Sequence, residues 1–148
     1  MKSLMNKITT STTGFDALPL RVGAGTIFAA HGAQKLFGWF GGYGLEGTAG
    51  WMTSIGLEPG LLMAAMAGSA EFFGGLLLII GLLVRPAALT LAITMLVAIV
   101  TVHLQNGLFM ANNGYEFGLA LLAISVALVF RGAGSLSADH LLQTQLAK

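Results

Sequence analysis

The 148-residue sequence predicts an all-α integral membrane protein, a four-helix bundle with a short outer interfacial helix between spans 1 and 2. Three observations carry that expectation. The composition is 55% hydrophobic and only 9% charged, with a mean hydropathy of +0.82, so there are too few charges to build a water-facing surface. Four apolar stretches approach the roughly 20 residues that a helix rising about 1.5 Å per residue needs to cross a hydrocarbon layer of about 30 Å. The lysines and arginines gather on one side of those stretches.

The stretches are residues 18–37, 61–84, 86–104 and 115–130, forming one domain. The last is short and calls for extension into its flanking glycines or for local thinning of the bilayer. Residues 1–16 carry Lys2 and Lys7 and then a polar run of serines and threonines, without the apolar core of a secretory signal, and read as a cytosolic tail. Arg85-Pro86 reads as a tight turn joining spans 2 and 3 into an antiparallel hairpin. Between spans 1 and 2 the chain is glycine-rich, but residues 51–57 have the character of a helix lying along the outer interface.

Orientation follows from charge. Lys2, Lys7, Arg21, Arg85, Arg131 and Lys148 share one side, whereas the opposite segments hold at most Lys35. Trp39, Tyr43, Trp51 and Tyr115 fall on that opposite side, as an aromatic belt would. Both termini are therefore expected in the cytoplasm of a bacterial inner-membrane, multi-pass protein. A net charge of +1 gives no field for nucleic acid, and the absence of cysteine removes disulfide, thiolate and Cys-ligated metal chemistry from this chain.

Polar groups inside spans are costly, which makes each a candidate for function. By helical rise Glu71 lies about 15 Å below the outer edge, near the midplane, and His31 about 9 Å below it. Gln34 and Lys35 stand one turn above His31, and His103 and Glu116 sit at the outer ends of spans 3 and 4. These six form the expected ligand-binding cluster, with Glu71 and His31 as the catalytic pair within hydrogen-bond or one-water reach of each other. Small neighbours (Ala67, Gly68, Gly74 and Gly75) turn Glu71 toward an adjoining helix, and a stripe of Glu116, Ala120, Ala123 and Ala127 turns span 4 the same way. Each group also has a structural reading: Glu71 as an interhelical bridge, Glu116 as part of a capping box with Asn113, Lys35 snorkelling to headgroups, His103 solvated at an interface. The three arginines at span ends mark the inner interface. No metal constellation is apparent.

Several pieces in order carry a resemblance: Arg21; the run from His31 through Gly32-Ala33-Gln34-Lys35-Leu36-Phe37 to Gly38; Glu71-Phe72-Phe73-Gly74-Gly75 leading to Gly81-Leu82 and Arg85; Gly114-Tyr115-Glu116; and Gly132-Ala133-Gly134-Ser135-Leu136-Ser137-Ala138-Asp139. Together they resemble the DoxX family of small bacterial inner-membrane proteins across residues 20–139, with Ala133 where that family commonly has proline. The resemblance implies a four-helix membrane protein, some of whose relatives are associated with quinone-linked oxidoreductase or thiosulfate-oxidising complexes. Two readings follow. In one, the outer-half cluster binds a quinone or similar apolar molecule for partner oxidoreductase subunits. In the other, the chain is a non-catalytic membrane adaptor or anchor that assembles partner enzymes, and the polar residues set helix register; under either reading a homo-oligomer is open. A haem bridged by His31 and His103 is a weaker third idea.

Overall fold

The computed structural model describes residues 14–146; the tail lysines Lys2, Lys7 and Lys148 lie outside the described residues. Among the described residues six α-helices follow in chain order: α1 (Ala17–Phe37), α2 (Gly44–Ser54), α3 (Gly60–Ile80), α4 (Val84–Ala98), α5 (Glu116–Arg131) and α6 (Ala138–Leu146). Among the described residues there is no strand. After Ala98 the helix continues through a π turn, Ile99–His103, and a 3-10 turn, Leu104–Asn106. Among the described residues two segments, Gly60–Ile80 and Val84–Asn106, are long and apolar enough to cross a membrane.

Helix α1 packs along α3, α4 along α5, and α3 on α4, while α2 lies across α3 and α1. The exterior departs from that of a water-soluble bundle, being apolar like the core. Leu61, Leu62, Met66, Phe73, Leu76 and Ile80 are exposed on α3, as are Leu89, Ile93 and Leu96 on α4. Gly68, Glu71, Gly74 and Gly75 are turned inward. An apolar exterior, with small residues at the α1–α3 contact, suits a hydrocarbon solvent, in which close backbone packing helps bring helices together. At the α1–α3 contact a Cβ added to Gly25 would come within 2.7 Å of the Gly75 carbonyl oxygen, and one added to Gly75 within 2.6 Å of the Gly25 oxygen. Only glycine permits that approach from both sides.

Helix boundaries depart from the sequence expectation in four places. Helix α3 stops at Ile80 rather than running to residue 84, because Gly81 takes a left-handed conformation (φ 76°) and closes a Schellman motif, with Gly81 N–H donating to the Leu78 carbonyl and Leu82 N–H to that of Leu77. The turn is accordingly Gly81-Leu82-Leu83, and Arg85 and Pro86 belong to the first turn of α4, where proline removes no helical hydrogen bond. Helix α2 begins seven residues earlier than expected and ends at Ser54; Thr48, Ala49 and Met52 make its buried face despite the glycines between them. Helix α6 was not expected at all. Ser137 starts it, its Oγ accepting the His140 N–H at 3.1 Å as an N-cap does.

Arg21 and the carboxyl-terminal segment form a buried polar knot at the end of the bundle opposite α2. Arg21, expected at an interface, is 1% exposed: Nη1 donates to the Leu78 carbonyl at 3.4 Å and Nη2 to that of Leu136 at 2.5 Å. Asp139, also 1% exposed, accepts the N–H groups of Leu83 (2.8 Å) and Val84 (3.0 Å), so an anion from α6 caps the start of α4. Leu83 itself is left-handed (φ 50°), a strained state for a side-chain-bearing residue that this capping holds in place. Nearby, Gly14 and Ser135 exchange hydrogen bonds and Asp16 pairs with Arg131, fastening the start of α1 to the end of α5.

Candidate functional site

A cavity of about 900 Å³ opens between the α1–α3 pair and the α4–α5 pair, in the half of the bundle that α2 covers. Its walls are mostly apolar, and four of the six expected site residues stand in them: His31, Lys35, Glu71 and His103. The other two do not. Gln34 donates from Nε2 to the Phe40 carbonyl (3.2 Å), steadying the turn after α1. Glu116 accepts the Met110 N–H at Oε1 (2.5 Å) and ties down the loop before α5; with Tyr115 rather than Asn113 as N-cap, the expected capping box does not form.

Glu71 is 4% exposed, and its Oε2 receives Lys35 Nζ at 2.6 Å. Lys35 therefore turns inward to a carboxylate instead of reaching outward to headgroups. The small residues around Glu71 face inward as expected, with a Cβ on Gly68 meeting the Leu36 side chain at 2.8 Å. The alanine stripe of span 4 does not: Ala120, Ala123 and Ala127 are exposed, and α5 presents Leu121, Ser125 and Leu128 to the interior. Glu71 and His31 share the cavity, but the bonded partner of Glu71 is Lys35, while His31 lies against Phe117 with ring centroids 6.2 Å apart.

His103 owes its place to the π turn, a feature that recurs beside functional sites because it shifts helix register locally. Its Nδ1 lies 2.9 Å from the Asn113 carbonyl oxygen. A carbonyl only accepts, so Nδ1 carries the proton, and a neutral His103 keeps Nε2 as a bare lone pair. Thr90, Thr94 and Thr101 add a stripe of hydroxyls to the cavity wall that sequence reasoning missed, although their spacing along one helix face was a readable signal. Each donates its proton to the carbonyl four residues earlier, so each offers the cavity only acceptor lone pairs. Among the described residues no three His, Cys, Asp or Glu side chains gather to hold a metal ion.

Fold and cavity together define a class: a helical membrane protein with an apolar chamber that has one charged, hydrogen-bonding wall. The DoxX family profile matches residues 17–104, and the chain belongs to the DoxX family. It is 38% identical over 111 residues to a Bacillus subtilis protein named "Putative oxidoreductase CatD", an alignment spanning 75% of this chain and 76% of that one. Two Haemophilus influenzae sequences, each named "Uncharacterized protein", are 36% identical over 78 residues (53% of this chain, 52% of the relative) and 32% identical over 128 residues (82% and 86%). No solved structure matches.

Proposed function

We propose that the chain is the membrane subunit of a quinone-linked oxidoreductase system and binds a quinone or similar apolar molecule in the cavity. One observation carries this reading: a chamber of drug-like size, apolar on most sides, whose single charged feature is a nearly buried Lys35–Glu71 pair flanked by two histidines. Lys35 Nζ is a donor for a head-group carbonyl. Glu71 holds that ammonium in place and stands as the acceptor for a proton, and His31 and His103 are the other groups that exchange protons with a bound head group. Electrons come from a partner oxidoreductase. The name carried by the Bacillus relative supports that assignment.

In this reading α1, α3, α4 and α5 are four spans of a bacterial inner-membrane protein with cytoplasmic termini. Its support is the placement of Arg21, Arg85 and Arg131 toward one end of these helices and of Trp39, Tyr43, Trp51 and Tyr115 toward the other. The adaptor reading has its own support, since Lys35, Glu71, Gln34, His103 and Glu116 all have partners within the chain, as residues that fix register would.

Mass spectrometry of what co-purifies from native membranes separates the two. A retained quinone that Glu71→Gln loses, with insertion unchanged, is the expected result. Full retention and full activity in Glu71→Gln remove proton transfer from the account, and a stoichiometric soluble enzyme without any bound small molecule puts the adaptor ahead.

A further inference from the structure

The cavity is not walled off on every side. Met66 of α3 and Ile93 and Val97 of α4 line it and yet are 59%, 56% and 47% exposed, so they form the rim of a mouth between these two helices, facing sideways rather than toward either end of the bundle. A second, smaller hollow of about 260 Å³ continues along the same seam. It shares Ser69, Ala70 and Thr90 with the chamber and runs from them past Phe73 and Leu77 toward Leu83. From Ser69 to Leu77 the seam measures about 12 Å by helical rise.

Its origin lies in the residues that face each other. Ser69, Ala70 and Gly74 on α3 meet Ala87 and Thr90 on α4, and small residues of this kind ordinarily draw helices together. Here Leu91, fully buried, stands against the Gly74 position, where an added Cβ would meet its side chain at 3.1 Å. Leu91 acts as a spacer, and the short residues on either side of it leave a slot. The Gly81-Leu82-Leu83 turn, pinned by Asp139, holds the lower end of the hairpin in register. Polar groups in the slot are few: Thr90 has already donated its proton to the Pro86 carbonyl.

We propose that the ligand is a membrane-resident amphiphile, a polar head bearing a long hydrocarbon tail, which enters sideways from the bilayer between α3 and α4. Its head seats at the Lys35–Glu71 wall and its proximal tail lies in the slot from Ala70 to Leu77. The proposal rests on the reading of the chamber as a head-group site and adds to it the route and the tail. A prenyl tail on a quinone and an acyl tail on a phospholipid share this chemistry.

The test uses the full chain in nanodiscs of defined phospholipid, with quenching of the intrinsic tryptophan fluorescence as the readout, Trp51 lining the chamber. Two probes are compared: a substituted benzoquinone without a tail and the same ring carrying isoprene units. Each is titrated against wild type and Ala87→Leu, a position that lines the slot and not the chamber, so that partitioning into lipid cancels in the variant-to-wild-type ratio. Ala87→Leu is expected to weaken the tailed probe roughly tenfold, the equivalent of about two buried methylenes, and the tail-free probe less than about twofold. Leu77→Phe, across the slot, is expected to act in the same direction and serves if Ala87→Leu does not insert. Equal effects on both probes, or none, overturn the tail slot and leave the chamber reading standing. A wild type that binds neither probe but releases a phospholipid in native mass spectrometry, with release lost in Ala87→Leu, assigns the tail to a lipid and removes the quinone. A wild type that binds none of the three overturns chamber and slot together.

Discussion

Breaking the Lys35–Glu71 pair from its two ends should give unequal results. The Glu71 side chain is 5% exposed and that of Lys35 is 25% exposed. Lys35→Met strands a carboxyl deep between glycines, and loss of one partner from a buried pair costs about 3–5 kcal/mol. Glu71→Leu strands an ammonium on a flexible stem that can swing toward the mouth, so its cost should fall to about 1–2 kcal/mol. The double variant, an apolar pair in an apolar wall, should lie within about 1 kcal/mol of Glu71→Leu, which makes the coupling at least about 2 kcal/mol. Reversible denaturant unfolding in detergent micelles, followed by the fluorescence of Trp39 and Trp51, measures all three. Additivity within about 0.5 kcal/mol, or a Glu71→Leu variant less stable than Lys35→Met, would refute the buried-pair reasoning.

Gly50→Cys tests the orientation, since that position on α2 is exposed with open space around its Cβ and the chain has no other cysteine; labelling from the external face alone is expected, and labelling from the cytoplasm alone reverses the topology. Asp139→Asn sets an amide N–H against the Leu83 or Val84 N–H and should cost about 1–3 kcal/mol in the same unfolding assay. Burial lifts the Asp139 carboxyl above the usual aspartate range, against the pull of those two N–H groups and of the Arg21 charge. The native state therefore keeps a proton that the unfolded chain releases. Wild-type stability should fall as pH rises from the ordinary aspartate range through the lifted one, and Asp139→Asn should lack that slope. Gly32→Val places a Cβ within 2.6 Å of the Phe72 Cα, a backbone atom that cannot swing away; α1 and α3 must part, at a cost of about 3 kcal/mol or more, and an unfolding midpoint equal to wild type would contradict the tight contact.

What could be read from sequence followed periodicity and helical rise. The limits of α1 and α5 came within one residue, and helical rise alone put His31, Lys35, Glu71 and His103 in the same half of the molecule, because rise per residue is fixed once a helix is assigned. Rotation about the helix axis was harder. On α5 the three alanines share one stripe, but their size did not say that Ala120, Ala123 and Ala127 face outward while Leu121 and Leu128 face in. Glycine was ambiguous in the same way: Gly81 ends a helix, Gly47 and Gly50 lie inside one, and only their partners distinguish them. The inward turn of Lys35 depends on a carboxylate 36 residues away, and the π turn that brings in His103 has no propensity signature. The Ser137 cap of α6 is a start signal of the ordinary kind, a serine just ahead of the helix.

The glycine contact between α1 and α3 makes these two helices a single wall of the chamber. His31, Lys35 and Glu71 all stand on that wall, where backbone meets backbone and a shift of a few tenths of an ångström has nowhere to go. The facing wall, α4 with its irregular end and α5, meets α3 through a leucine spacer and a slot of short side chains. The spacing of the three groups is therefore set within one helix pair, and substitutions on α5 reshape the chamber without disturbing it.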